Sequence, residues 1–144
     1  MKTQLQLNTL YLLHNLDTSN YTNKSGIHPH LILKIKGDEL LILPLSTKPL
    51  SKYFEFGDEE EPSFKIQNKH LNEEKKNYFC LNHIKFIQEK DFFKHCHKTD
   101  GKPTQFELTK FEKGLLKSQF KKLLTFEFKD SFLKEKQQFL IENY

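Results

Sequence analysis

Apolar and polar positions alternate most regularly between Gly26 and Lys48, GIHPHLILKIKGDELLILPLSTK, where two apolar runs flank Gly37-Asp38. A Gly-Asp pair supplies the positive φ of a two-residue primed turn, so the stretch predicts a β-hairpin whose turn fixes the register. Lys36 then pairs with Glu39, Ile32 with Leu43, His30 with Leu45, Pro29 with Ser46 and His28 with Thr47. Opposed residues have Cβ atoms roughly 5 Å apart, which makes neighbours of His28 and Thr47. Alternation places His28, His30, Lys34 and Lys36 on one face and Leu31, Leu33 and Ile35 on the other, the core face. Lys48-Pro49 is expected to end the pairing and release the alternation beyond Ser46.

Elsewhere the pattern divides the chain into strands first and helices last. Leu5 to His14 alternates as a first strand, and the polar stretch NLDTSNYTNKSG leads from it into the hairpin. A long loop from Ser51 to Ser63 carries GDEEEP, an acidic run read as solvated. SFKIQ and NYFCLNHIKFIQ supply two or three further short strands rich in Phe, Tyr and Ile. PTQFE opens a helix, with Thr104 as N-cap and Glu107 completing a capping box, and a second helix starts near Asp130. With no repeat and no linker, residues 1–144 read as a single domain. That length suffices for an ordinary core without disulfide or metal staples.

Composition narrows the chemistry. The chain has a net charge of +4 and a pI near 8.9, and its basic residues are all lysine, since Arg is absent, as are Ala, Val and Trp. An anion site must therefore be built from Lys, His, hydroxyls and backbone N–H groups, because a guanidinium fork is unavailable. Two cysteines, Cys80 and Cys96, are too few for a secreted disulfide scaffold. No apolar run approaches bilayer length, and the first residues, MKTQLQLNTLYLLHNL, scatter Gln and Asn where a signal peptide is greasy. The expectation is a soluble, cytoplasmic protein without membrane partners.

Two further patterns invite a function. On the helix after PTQFE, Lys110, Lys113, Lys117 and Lys121 fall on one stripe, while Leu108, Phe111, Leu115, Leu116, Phe120 and Leu123 cover a broad apolar face. The stripe reads either as a solvated face or as a ridge that tracks phosphates, since lysines one turn apart can neutralise successive ones. Cys80-x-x-His83 followed by Cys96-His97 has the look of a small zinc finger. The second pair matches poorly, because adjacent Cys and His cannot easily chelate one ion. The alternative is a buried Cys80 with surface histidines, and no metal is assigned.

GIHPHLIL, then LPLSTK, then YFCLNHIKFIQEKDF resembles the PemK/MazF toxin-fold superfamily, in which a G-x-R-P segment starts one strand, a P-L-T-S type segment ends the next, and an L-x-x-I-x-x-I strand follows. The P-L-S-T-K segment is most similar to the ToxN, CptN and TenpN branch, endoribonuclease toxins of type III toxin–antitoxin systems that a structured RNA inhibits. The resemblance covers roughly residues 8 to 95 and rests on short segments. Here His28 stands where the family has its strand-start arginine, and the Thr-Ser order of the branch is reversed as Ser46-Thr47. The resemblance implies an α+β fold, a compact, partly open antiparallel β-barrel with C-terminal helices. It also implies RNA cleavage to a 2′,3′-cyclic phosphate without metal or other cofactor, an RNA substrate, an RNA antitoxin, and room for a higher-order toxin–RNA assembly.

Such cleavage needs a group to take the 2′-OH proton, a donor for the leaving 5′-oxygen, and positive or N–H groups for charge on the phosphoryl oxygens. Histidine titrates near neutrality, which makes His28 the acid or base. Ser46 and Thr47 offer hydroxyls and N–H groups at a strand end, and Lys48 adds a point charge. These four form the expected catalytic set, with His30 ranked below His28 because it faces Leu45. The expected RNA-binding set is His30, Lys34, Lys36, Lys52, Lys110, Lys113, Lys117 and Lys121. Against this stand turn chemistry at Ser-Thr-Lys-Pro and plain surface polarity at His28 and His30. Rival functions are a MazF-like toxin neutralised by a small protein antitoxin, a non-catalytic RNA-binding module, and a zinc-binding interaction domain built on Cys80, His83, Cys96 and His97.

Overall fold

The computed structural model describes residues 5–14, 27–46, 63–68 and 73–144. Its strands are β1 (Leu10–His14), β2 (Ile27–Lys36), β3 (Glu39–Ser46), β4 (Ser63–Asn68), β5 (Glu73–Phe79), β6 (Lys85–Gln88), β7 (Lys98–Thr99) and β8 (Lys102–Pro103), and its helices α1 (Glu89–His95), α2 (Lys110–Thr125) and α3 (Ser131–Asn143). The protein is mixed α+β, with antiparallel strands and three helices. Two compact units divide it: Met1–Leu45 with His83–Glu107 and Tyr144, and Ser46–Asn82 with Leu108–Asn143. The polar stretch after β1, the acidic loop, Thr47, Lys48 and Lys52 lie outside the described residues.

The first unit is built on the expected hairpin. Gly37 has φ +60° while Asp38 does not have positive φ, the pattern of a type II′ turn with Gly at its first central position. Lys36 pairs with Glu39 as the turn dictates. The register then shifts. Ile35 pairs with Leu40, Lys34 with Leu41 and Ile32 with Ile42, so Leu33 is an extra residue and β2 carries a β-bulge. Beyond it every partner differs by one from the regular hairpin: Ile32 opposes Ile42 rather than Leu43, and His30 opposes Pro44 rather than Leu45. The predicted opposition of His28 and Thr47 loses its basis with it.

The bulge also redistributes the faces. β1 lies on the other side of β2, with Tyr11 opposite His30 and Leu13 opposite His28, and β6 flanks β3, with Leu40 opposite Ile87. Paired residues share a face, so His28 and His30 lie with Tyr11, Leu13, Ile32, Leu40 and Ile42. That is the core face, where Phe92 of α1, Cys96 and Leu5 complete a buried cluster. The ring of Phe92 meets Tyr11 edge-on at 5.7 Å. Lys34 and Lys36, beyond the bulge, are exposed on the opposite face, and Ile35 is 41 % exposed rather than a core residue. The expectation that His28, His30, Lys34 and Lys36 share one solvent face therefore fails, because one extra residue inverts a period-two pattern.

The first strand is shorter than its alternation suggests, beginning at Leu10 rather than Leu5. Its outer edge is met by the segment after α1: the N–H of His97 donates to Leu12 O at 2.9 Å, that of Leu12 to Thr104 O at 3.0 Å and that of Phe106 to Leu10 O at 2.7 Å. Thr104 is thus committed to pairing and does not cap a helix. The helix starts five residues later on the same chemistry. Thr109 Oγ1 accepts from Glu112 N at 3.1 Å and Glu112 Oε1 accepts from Thr109 N at 2.8 Å, a complete capping box.

In the second unit β4 and β5 pair from Ser63–Tyr78 to Asn68–Glu73, and α2 buries Glu112, Leu116, Phe120 and Leu123. This face is narrower than the predicted one. Phe111 is 76 % exposed, since the capping role turns Glu112 inward and Phe111 lies 100° round the helix from it. Phe79 and Phe120 meet at 6.1 Å. The helix expected near Asp130 begins at Ser131, and Asp130 caps it, its Oδ1 accepting from Leu133 N at 3.0 Å. Gln137 of α3 ties down the end of α2, its Nε2 donating to Leu123 O and Phe126 O at 2.7 and 2.9 Å. No helix among the described residues is long and apolar enough to cross a membrane.

Candidate functional site

His28 and His30 enter the core face at the open end of the hairpin because β2 keeps its alternation from Ile27 to Ile32. His28 is 9 % exposed and His30 only 1 %. The Nδ1 of His30 lies 2.8 Å from the carbonyl oxygen of His28. A carbonyl can only accept, so Nδ1 carries the proton and donates, and in the neutral ring Nε2 holds the lone pair. Burial pushes the His30 pKa down to about 4; the His28 carbonyl opposes that shift, whereas the charges of His28, Lys85 and His83 reinforce it. His30 is therefore a neutral acceptor at pH 7 and a poor source of protons.

The electrostatic neighbourhood of His30 brings in two residues that the sequence did not assign to this site. Lys85 pairs with Ile42 across β3 and β6, and His83 ends a short 3-10 turn, Leu81–His83, that leads into β6. Imidazoles and an ammonium thus converge from β2 and from the approach to β6. The signal was present in His83-Ile84-Lys85 at the start of HIKFI, but β6 lies beside β3 by a crossover, which local pattern does not reveal.

The remaining predicted residues scatter. Ser46 is half-buried as the last residue of β3. Lys110, Lys113, Lys117 and Lys121 are all exposed on α2, within an arc of about 80° at 3.6 residues per turn. A groove of about 610 Å³ lies at the turn end of the hairpin, where Asp38 and Glu89 line it beside Lys90 and Phe93. Lys98 lines it as well, and eight residues of strand, roughly 25 Å, separate that end from His28.

Cys80 and Cys96 are both free and buried. Burial pushes the thiols of Cys80 and Cys96 up to about 12, with Lys98 partly opposing this at Cys96. Among the described residues no three His, Cys, Asp or Glu side chains gather around a common point.

No family model matches the chain, and no curated protein matches it.

Proposed function

We propose that this protein is an endoribonuclease toxin of the RNA-inhibited, type III kind, cleaving RNA by attack of a 2′-OH on the adjacent phosphate. The observation that carries the reading is that the groups acting electrostatically on His30, those of His28, Lys85 and His83, are all basic residues. A polyanion is what such a cluster is suited to hold, and a histidine is what its proton transfers require. His28 takes or gives the proton. His30, neutral and tied to the His28 carbonyl, positions that strand end. Lys85 adds positive charge beside His83, and Ser46, Thr47 and Lys48 keep the role expected of them from the sequence, hydroxyls and a cation for the phosphoryl oxygens. The 2′-oxygen forms its bond to phosphorus as the 5′-oxygen leaves with a proton, giving a 2′,3′-cyclic phosphate and a 5′-hydroxyl.

The expected partly open barrel has support in chain length. Seven helical residues of α1 span about 10 Å, yet they run from β6 to Cys96, which bridges Leu13 of β1. Flat strands at about 4.8 Å spacing would set those two positions roughly 19 Å apart, so this sheet curls over α1.

Purified protein is expected to cut a labelled RNA in excess EDTA, leaving a 2′,3′-cyclic phosphate end. Loss of cleavage in EDTA with recovery in zinc would overturn the reading. The RNA inhibitor is assigned to the α2 lysines, which lie one turn apart. Lys113→Gln with Lys117→Gln should flatten the log–log salt dependence of inhibitor binding by roughly 1.4 to 1.8 for two lost phosphate contacts. An unchanged slope makes that stripe a solvated face. Tight binding of a small protein encoded beside the gene, in place of RNA, would favour the MazF-like alternative.

A further inference from the structure

A second pair of imidazoles has no part in the reading above. The rings of His14, at the end of β1, and His97 have centroids 5.6 Å apart with planes inclined by 43°. His97 is held by a small hairpin. Asp100 and Gly101 have φ +54° and +77°, as a type I′ turn requires, and β7 pairs with β8 across them. One step further out, the N–H of Thr104 donates to His97 O at 2.8 Å. Alternation puts His97 and Thr99 on one side of this hairpin and Lys98 on the other. His97 Nδ1 lies 2.8 Å from Thr104 Oγ1, which lies 2.7 Å from Thr99 Oγ1. The link from His97 N–H to Leu12 O, together with the bridge between Cys96 and Leu13, holds His97 beside the end of β1.

We propose that His14 and His97 bind one transition-metal dication of the zinc class, each through one ring nitrogen, with water filling the other positions. Zinc lies about 2.0–2.1 Å from an imidazole nitrogen and so about 3.2 Å from the ring centroid, which sets two tetrahedrally placed centroids about 5 Å apart. The observed 5.6 Å needs closure by roughly half an ångström, within rotamer reach of the exposed His14. The Thr104 contact at Nδ1 leaves Nε2 of His97 as the ligating atom, the arrangement in which an outer partner orients a metal-bound histidine. Metal on Nε2 fixes the direction of the chain: Nδ1–H donates to Thr104 Oγ1, and the Thr104 hydroxyl to Thr99 Oγ1. Two imidazoles select zinc, copper or nickel over magnesium or calcium, which take oxygen ligands. Among the described residues no third His, Cys, Asp or Glu joins them, so water completes the shell.

The test titrates the full chain with zinc chloride while histidine ring nitrogens are followed by 1H–15N NMR and binding by calorimetry. The expected result is one zinc per chain with the Nε2 signal of His97 and a ring signal of His14 moving together. His14→Ala should abolish binding, and, since that residue is exposed, without unfolding the chain. Thr104→Val should weaken binding about 10- to 100-fold by removing the orienting hydroxyl. Zinc that shifts neither ring, or binding that survives His14→Ala and His97→Ala, overturns the proposal.

Discussion

His28→Ala is expected to slow single-turnover cleavage of a labelled RNA about 10²- to 10⁴-fold, the usual cost of removing a proton-transfer group and equivalent to roughly 3 to 5 kcal/mol of barrier. Inhibitor affinity should stay within about twofold, because the loss falls on the transition state rather than on ground-state contacts. Lys48→Ala offers the contrast. It removes charge felt by both states, so binding and rate should weaken together. Since His28 is buried, thermal unfolding of each variant is recorded beside the kinetics. A folded His28→Ala protein that cuts at the wild-type rate would make the histidine a bystander and pass the proton to Lys48 or His83.

Acid should destabilise this protein through His30. Its pKa falls from 6.5 to about 4 in the folded chain, so below pH 6.5 the unfolded chain takes up a proton that the folded one refuses. The stabilisation is complete above pH 6.5 and is lost as the pH falls toward 4, amounting to about 3 kcal/mol over that span by linkage. Denaturant midpoints measured from pH 7 to pH 4 should show this slope, and His30→Leu should remove it. The sign matters: a histidine stabilised as imidazolium would give the opposite trend. An equal slope in wild type and His30→Leu would assign acid sensitivity to other groups.

What could be read beforehand follows from how local each cause is. Gly37-Asp38 between two apolar runs specifies a hairpin with no help from the rest of the chain, and Asp130 at a helix start needs only its own first turn. The bulge has no such local mark. Leu33 sits in LILKIK, which fits a regular strand equally well, and Leu31, Ile32 and Leu33 are all buried, so both faces of the strand are apolar there and alternation does not mark the shift. Two Thr-x-x-Glu boxes stand within nine residues, at Thr104 and Thr109. Which one opens the helix is decided by hydrogen bonds to Leu10 and Leu12, some ninety residues away in sequence. The helix α1 is only seven residues long, too short to display a period. Asp100-Gly101 is a strong turn signal, yet the strands around it have two residues each, so alternation could not confirm it.

For the candidate site the histidine positions were legible and their surroundings were not. A His-Pro-His segment suggests exposure by composition, whereas the paired partners Tyr11 and Leu13 set it in the core. Lys85 reaches it through the pairing of β6 with β3, a contact made across more than forty residues of chain, and His83 lies two residues before Lys85.

The extra leucine in β2 makes parity, rather than residue identity, the most sensitive variable of this hairpin. Between the Ile32–Ile42 and Lys36–Glu39 pairs one strand has three residues and the other two. Deleting Leu33, or inserting one residue between Leu40 and Leu41, would equalise the count and let the strands pair without interruption. Either the turn or the imidazoles would then have to rotate to the other side. A change of one in the length of either strand should therefore be tolerated only when its partner changes as well.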